Sequence, residues 1–151
     1  MAAERLTAQA VAEASARVMW ENDVTCRALG VRVEEVGPGR STLSLTIDAQ
    51  MANFHGTCHG GYIFLLADSA LSYACNSYNR RSVAHVCSIT YLQPARLGEQ
   101  LVARAEERAR VGRTAIYDVS VRNESGELIA EFRGQSRTVE GKLLPELGEP
   151  E

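Results

Sequence analysis

Between His59 and Arg80 the chain carries one ionisable acid, Asp68, in a run that is otherwise apolar, small or uncharged. An isolated carboxylate in such surroundings costs several kcal/mol unless something offsets it. Eight residues earlier, Gly60-Gly61 opens the same run. Glycines at a helix start let backbone approach a ligand, and first-turn N–H groups lack intrahelical partners. With the helix dipole they suit an anion or a developing oxyanion. A flexible entry to a crowded helix explains the glycine pair equally well. His55 and His59 flank Cys58, but sequence neighbours usually point apart, which disfavours a Cys–His dyad. Zinc on His55, Cys58 and His59 lacks the usual ligand spacing and a fourth ligand, so no metal is expected. A histidine beside an anion-ready helix start is expected to serve the site, which selects His59. Asn53 has a turn as its commonest use. No G-x-S-x-G elbow, P-loop or dinucleotide glycine pattern occurs.

The element that must position Asp68 is a helix that is apolar on every side, and such a helix is buried all round. Its span of about 16 residues gives roughly 24 Å, too short and too dotted with Ser and Asn for a membrane crossing. Gly60 and Asp68 lie roughly 12 Å apart along the axis. Both cannot touch one reacting carbon, which needs contacts near about 3 Å. Two copies of the helix lying antiparallel solve this, each start facing the other's mid-helix acid, as a two-fold homodimer with shared sites allows. The competing explanation is that Asp68 bonds a backbone or hydroxyl group of its own subunit.

Around that helix the chain reads as one domain over 1–151. Thr7 caps an alanine-rich surface helix to about Trp20, and 22–30 breaks it. Val31, Val33 and Val36 suggest a strand ended by Gly37-Pro38-Gly39, and Leu43, Leu45 and Ile47 alternate in the next. After the central helix come strands over 83–92, 100–106, 114–122 and from Leu128. The first is apolar or small on both faces, as a central strand would be. Asn123-Glu124-Ser125-Gly126 is a hairpin loop, and the tail from Leu143 is expected to be loose. Antiparallel strands with one buried helix make an α+β arrangement, a sheet curled around that helix. A net charge of −3 gives no reason to expect nucleic acid or anionic membrane as partner. Cys26, Cys58, Cys75 and Cys87 form no C-x-x-C pair, and no basic-then-apolar leader opens the chain, so free thiols and a cytoplasmic location are expected.

At the central run the sequence resembles the hotdog-fold acyl-CoA thioesterases, in particular those of phenylacetate degradation that act on hydroxyphenylacetyl-CoA. The shared signature is Asn53-x-His55-x-Thr57-Cys58-His59-Gly60-Gly61, with Asp68 downstream and Ala74-Cys75-Asn76-Ser77 closing the helix. Thr90-Tyr91-Leu92-x-Pro94, Tyr117-Asp118-Val119 and Phe132-Arg133-Gly134-x-Ser136 match as well, so the likeness covers residues 15–142. It implies a six-stranded antiparallel sheet wrapped around one long helix, and dimers that pair into tetramers. It also implies a thioester carbonyl polarised by the Gly60 N–H and the Asn53 side chain, with Gly61 beside them. Asp68 of the partner acts as general base or nucleophile, and His59 orients the substrate or the leaving sulfur. Arg113 and Arg137 stand where relatives place basic residues near the nucleotide. No cofactor is implied, coenzyme A being part of the substrate.

One departure is Ala84, at a position where some relatives hold the water with a hydroxyl; here that role is either absent or filled by Ser69 or Ser82. Tyr62, Phe64 and Tyr73 could line a pocket for an aromatic acyl group, although apolar helix residues more often form core. Phenylacetyl- and hydroxyphenylacetyl-CoA are the first substrates indicated. A hotdog hydratase or dehydratase and a non-catalytic acyl-CoA binder are the competing functions.

Overall fold

A computed structural model describes residues 5–147. Helix α1 (Ala8–Asn22) starts at Thr7, whose hydroxyl accepts the Ala10 N–H at 3.1 Å, and it turns Val11, Ala12, Ser15 and Ala16 inward. The stretch expected only as a break holds a second short helix, α2 (Val24–Leu29). Asp23 caps it through the Cys26 N–H, and Gly30 closes it in the left-handed region at φ 79°. Both capping signals stand in the sequence, but six residues are too few to show a helical period.

Strands β1 (Arg32–Gly37) and β2 (Arg40–Thr46) form the first hairpin. Helix α3 (Gly60–Cys75) follows, then β3 (Ser82–Tyr91), β4 (Gln100–Val111), β5 (Thr114–Asn123) and β6 (Leu128–Thr138). They make one six-stranded antiparallel sheet in the order β1-β2-β4-β5-β6-β3. The sheet curls around α3, which touches every strand, so the expected α+β arrangement of a sheet wrapped around one helix is what the chain adopts. Ile63, Leu66, Ala67, Ala70, Leu71 and Ala74 fill the concave face against Leu43, Leu101, Val119 and Phe132. The Leu71 side chain packs onto Gly134, where a Cβ would lie 2.5 Å from its Cδ2. On the opposite face of the sheet Asp118 accepts from Arg133 at 2.6 Å and Arg108 at 2.9 Å. Those bonds, led by Arg133, hold its carboxyl below the usual range.

The structure corrects the reading of β3 as a central strand: it is the sheet's edge, paired only to β6. Its Val83 and Val86 stand 50% exposed. Two-sided apolar character shows that a strand is suited to cover on both sides; it does not say that its own chain supplies the cover. The tail is also less free than expected. Asn79, at φ 58°, holds the Leu144 backbone with two hydrogen bonds of 2.8 and 2.9 Å. Residues 148–151 lie outside the described ones.

Candidate active site

The start of α3 is built by the loop before it and by the edge strand. Asn53 organises the loop: its Oδ1 accepts from the His55 and Thr57 N–H groups at 2.9 and 3.2 Å. Its Nδ2 donates to Thr57 Oγ1 at 3.1 Å and to the Cys58 carbonyl at 3.5 Å. This is the turn role, held in the same cleft as Gly60. That cleft, about 380 Å³, is lined by Asn53, Thr57, Gly60, Ile63, Tyr91 and Pro94 among others.

His59 is the N-cap of α3. Its Nδ1 accepts the Gly61 N–H at 2.9 Å, so this nitrogen holds a lone pair and the neutral ring's proton sits on Nε2. The His59 carbonyl accepts the Tyr62 N–H at 3.0 Å. Among the described residues the Gly60 N–H has no partner. It is the one open donor in a helix start whose next two N–H groups are taken.

Tyr91 at the end of β3 completes the wall. Its hydroxyl donates to the Gly60 carbonyl at 2.9 Å, and a Cβ on Gly60 would lie 3.0 Å from its ring. A Cβ on Gly61 would lie 3.1 Å from the His59 ring, tight enough that the ring would have to shift. Sequence reasoning quoted Tyr91 only within a motif and gave it no task.

Asp68 sits two turns along α3, half-buried. No hydrogen bond or ion pair to it exists among the described residues, so the alternative of a partner in its own subunit is not what the chain adopts. Burial alone pushes its carboxyl above the usual range. Its negative charge reaches the thiols of Cys26, Cys75 and Cys87. Strand β3 therefore runs antiparallel along α3, with Tyr91 at Gly60, Cys87 by Asp68, and Ser82 at Asn76, where the Asn76 side chain bonds the Ser82 backbone. Ser69 accepts the Cys26 thiol at 3.3 Å, and Ser82 shares a 3.3 Å bond with Thr138 at the far end of the helix. Ala84 is exposed beside a β-bulge.

The remaining predicted residues are scattered. Phe64 meets Phe132 edge-on at 5.3 Å, and Tyr62 packs half-buried against the core. The Tyr73 hydroxyl donates to Asp23 at 3.1 Å, tying α3 to α2. Cys58 is buried, which pushes its thiol up to about 11, and its sulfur donates to the His59 carbonyl. It is no thiolate nucleophile. Arg113 lines a separate basic cleft of about 420 Å³ with Arg80 and Lys142, at the C-terminal end of α3. Arg137 is exposed at the end of β6, outside that lining. Among the described residues no group of three His, Cys, Asp or Glu could hold a metal ion, and no helix is long and apolar enough to cross a membrane.

A six-stranded antiparallel sheet wrapped around one helix is the fold of the hotdog thioesterases. A profile of the thioesterase superfamily matches residues 55–130, and the chain belongs to that family. Its relatives include the acyl-coenzyme A thioesterase PaaI of Escherichia coli, 39% identical over 132 residues, which are 87% of this chain and 94% of that one. The solved structure of the E. coli PaaI protein, from the phenylacetic acid degradation operon, superposes with a TM-score of 0.88 at 38% identity, covering 90% of this chain and 99% of that one. Human acyl-coenzyme A thioesterase 13 is 31% identical over 111 residues, 71% of this chain and 79% of its own. A Streptococcus mutans protein solved bound to acetyl CoA is 25% identical, with a TM-score of 0.71 over 74% of this chain and 90% of that one.

Proposed function

We propose that the chain hydrolyses acyl-CoA thioesters, phenylacetyl- and hydroxyphenylacetyl-CoA first among them, in a homodimer whose two sites each draw on both subunits. The observation that carries this reading is the pair formed by the open Gly60 N–H and the partnerless Asp68 on one helix. Side by side and antiparallel, two α3 helices give each Gly60 the other's Asp68. The thioester oxygen sits at the Gly60 N–H, with Asn53 Nδ2 as second donor: one of its protons is held by Thr57 Oγ1 at 3.1 Å, and the other reaches the Cys58 carbonyl only at 3.5 Å. Asp68 takes a proton from water as the water oxygen bonds the carbonyl carbon. The oxyanion collapses, the C–S bond breaks, and the CoA sulfur leaves with the returned proton. Direct attack by Asp68 through an acyl anhydride gives the same products. His59, through Nε2–H, is assigned the sulfur side in this reading.

The partner's basic cleft fits the phosphates of CoA. With Gly60 facing the partner's Asp68, that partner's helix ends roughly 10 Å further along. Arg113 lies there, with Arg80 and Lys142. Wild-type protein is expected to release free CoA thiol from aryl-acetyl-CoA. Double-bond formation from a 3-hydroxyacyl-CoA without thiol release would give the site to a hydratase instead. Shared sites are tested by mixing Asn53→Ala with Asp68→Asn. Random exchange makes about half the dimers mixed, each with one intact site, so activity returns to about a quarter of wild type. Proven mixing with no recovery would place both residues in one subunit's site.

A further inference from the structure

We infer that Tyr91 is a positioning residue for the Gly60 N–H, clamping the Gly60–Gly61 peptide together with His59. The inference rests on Gly60 being the oxyanion donor proposed above. Two consecutive glycines have the widest choice of backbone angles in the chain, and a donor that swings is a poor oxyanion site, because such sites act by being preset. Here the peptide plane that follows the open N–H is held at both ends. Its carbonyl accepts the Tyr91 hydroxyl at 2.9 Å, and its N–H donates to His59 Nδ1 at 2.9 Å. The plane that contains the open N–H is fixed on its other side. The His59 N–H donates to the Met51 carbonyl at 2.7 Å, and the His59 carbonyl accepts the Tyr62 N–H at 3.0 Å. The Tyr91 ring closes over the Gly60 α-carbon, so the glycine is both what makes the clamp possible and what makes it necessary.

Tyr91 is 48% exposed. A hydrogen bond at so wet a position contributes little to stability, so its loss is read in the chemistry and not in the fold. Burial raises the phenol further above its ordinary range, keeping it a donor throughout the neutral range.

The test is Tyr91→Phe, which keeps the ring and removes the hydroxyl. The expected result is a kcat lower by about fivefold to tenfold, with KM for the thioester changed by less than about twofold. The melting temperature should stay near that of wild type. In ¹⁵N-labelled protein the Gly61 amide should exchange with solvent about tenfold faster, as a freed peptide does. His59→Ala combined with Tyr91→Phe should lose less than the product of the single losses, because both act on one peptide. An unchanged kcat, a rise in KM alone, or unchanged Gly61 exchange would each overturn the inference. If wild-type protein released no thiol from any CoA ester, the thioesterase reading would fall on that result. Gly61 exchange would still decide whether the clamp exists.

Discussion

The two edges of the sheet are built to opposite ends. Strand β1 is six residues long, bears Arg32, Glu34 and Glu35, and is interrupted by a bulge between Val33 and Glu35. Helix α1 lies against it, and Gln9 of that helix donates to the Val36 carbonyl at 2.8 Å. Short length, charge, a bulge and a covering helix are the ways a sheet edge is closed to a neighbour. Strand β3 is ten residues long and has no Asp, Glu, Lys or Arg; its Val83 and Val86 are half exposed. Only the bulge at Ala84/Val86 interrupts it. The closed edge lies away from the chemistry, whereas the open edge runs the length of α3 from Tyr91 at Gly60 to Ser82 at Asn76. Pairing through β3 would extend the sheet and set two α3 helices side by side, which is the arrangement the shared site needs. The contrast separates the edge this chain closes itself from the edge that the proposed dimer would use.

The comparison can be broken or sharpened by substitution. The largest effect is expected from Asp68→Asn, beside the open edge. Loss of Asp68 as the proposed general base should lower kcat by about 10²–10⁴-fold, with sedimentation showing the same oligomer as wild type. Retention of near wild-type turnover would remove Asp68 from the site. Next in size, Val86→Asp places a charge in the open edge. It should shift the protein to monomer and cut activity by about tenfold or more, as an edge charge does; Glu35→Gln on the closed edge should change neither. An active Val86→Asp monomer would end the shared-site reading.

A smaller effect is expected from Arg113→Ala. KM for the CoA ester should rise by about threefold to tenfold, the scale of one exposed charge contact to phosphate, with kcat little changed. A pantetheine thioester, lacking the nucleotide, should be indifferent. Equal losses on both substrates would make the arginine structural.

The smallest effect concerns stability. Asp68 has a native pKa raised by burial, so between the unfolded carboxylate value of about 3.9 and the raised native value the folded state binds more protons. Stability contributed by the protonated form is therefore full at low pH and is lost as pH rises through that window. Asp68→Asn escapes the loss. Its melting temperature should exceed that of wild type at neutral pH, and the gain should vanish at pH values below the window. A gain that persisted there would point to a cause other than ionisation.

How much of this was legible depended on distance along the chain. Helix α3 showed itself by its apolar wheel, β2 and β5 by alternation, and the separation of Gly60 and Asp68 by the helical rise. Asn53 was legible as a turn residue from its type alone. The edge position of β3 was not, because strand order is set by pairings such as Ile89 with Phe132, 43 residues apart in sequence. The Tyr91–Gly60 bond spans 31 residues and exists only through that topology. His59 as a helix cap was also hidden, because Ser, Thr, Asp and Asn are the usual choice. A Cβ on Gly61 would crowd the His59 ring at 3.1 Å, a contact that only the fold reveals.

The thiols have a consequence for the enzyme's lifetime. Burial pushes Cys26 and Cys58 up to about 11 and Cys75 to about 12. Thiol–disulfide exchange proceeds through the thiolate, and a thiol titrating near 11 is ionised to only about one part in 10⁴ at pH 7. An enzyme that liberates coenzyme A at every turnover works in a solution of its own thiol product, and of that product's disulfide wherever oxidation occurs. Cys58 stands next to His59 and the open N–H of Gly60, where a mixed disulfide with coenzyme A would block the cleft. Keeping that sulfur protonated and bonded to a carbonyl protects the site against inactivation by what it releases.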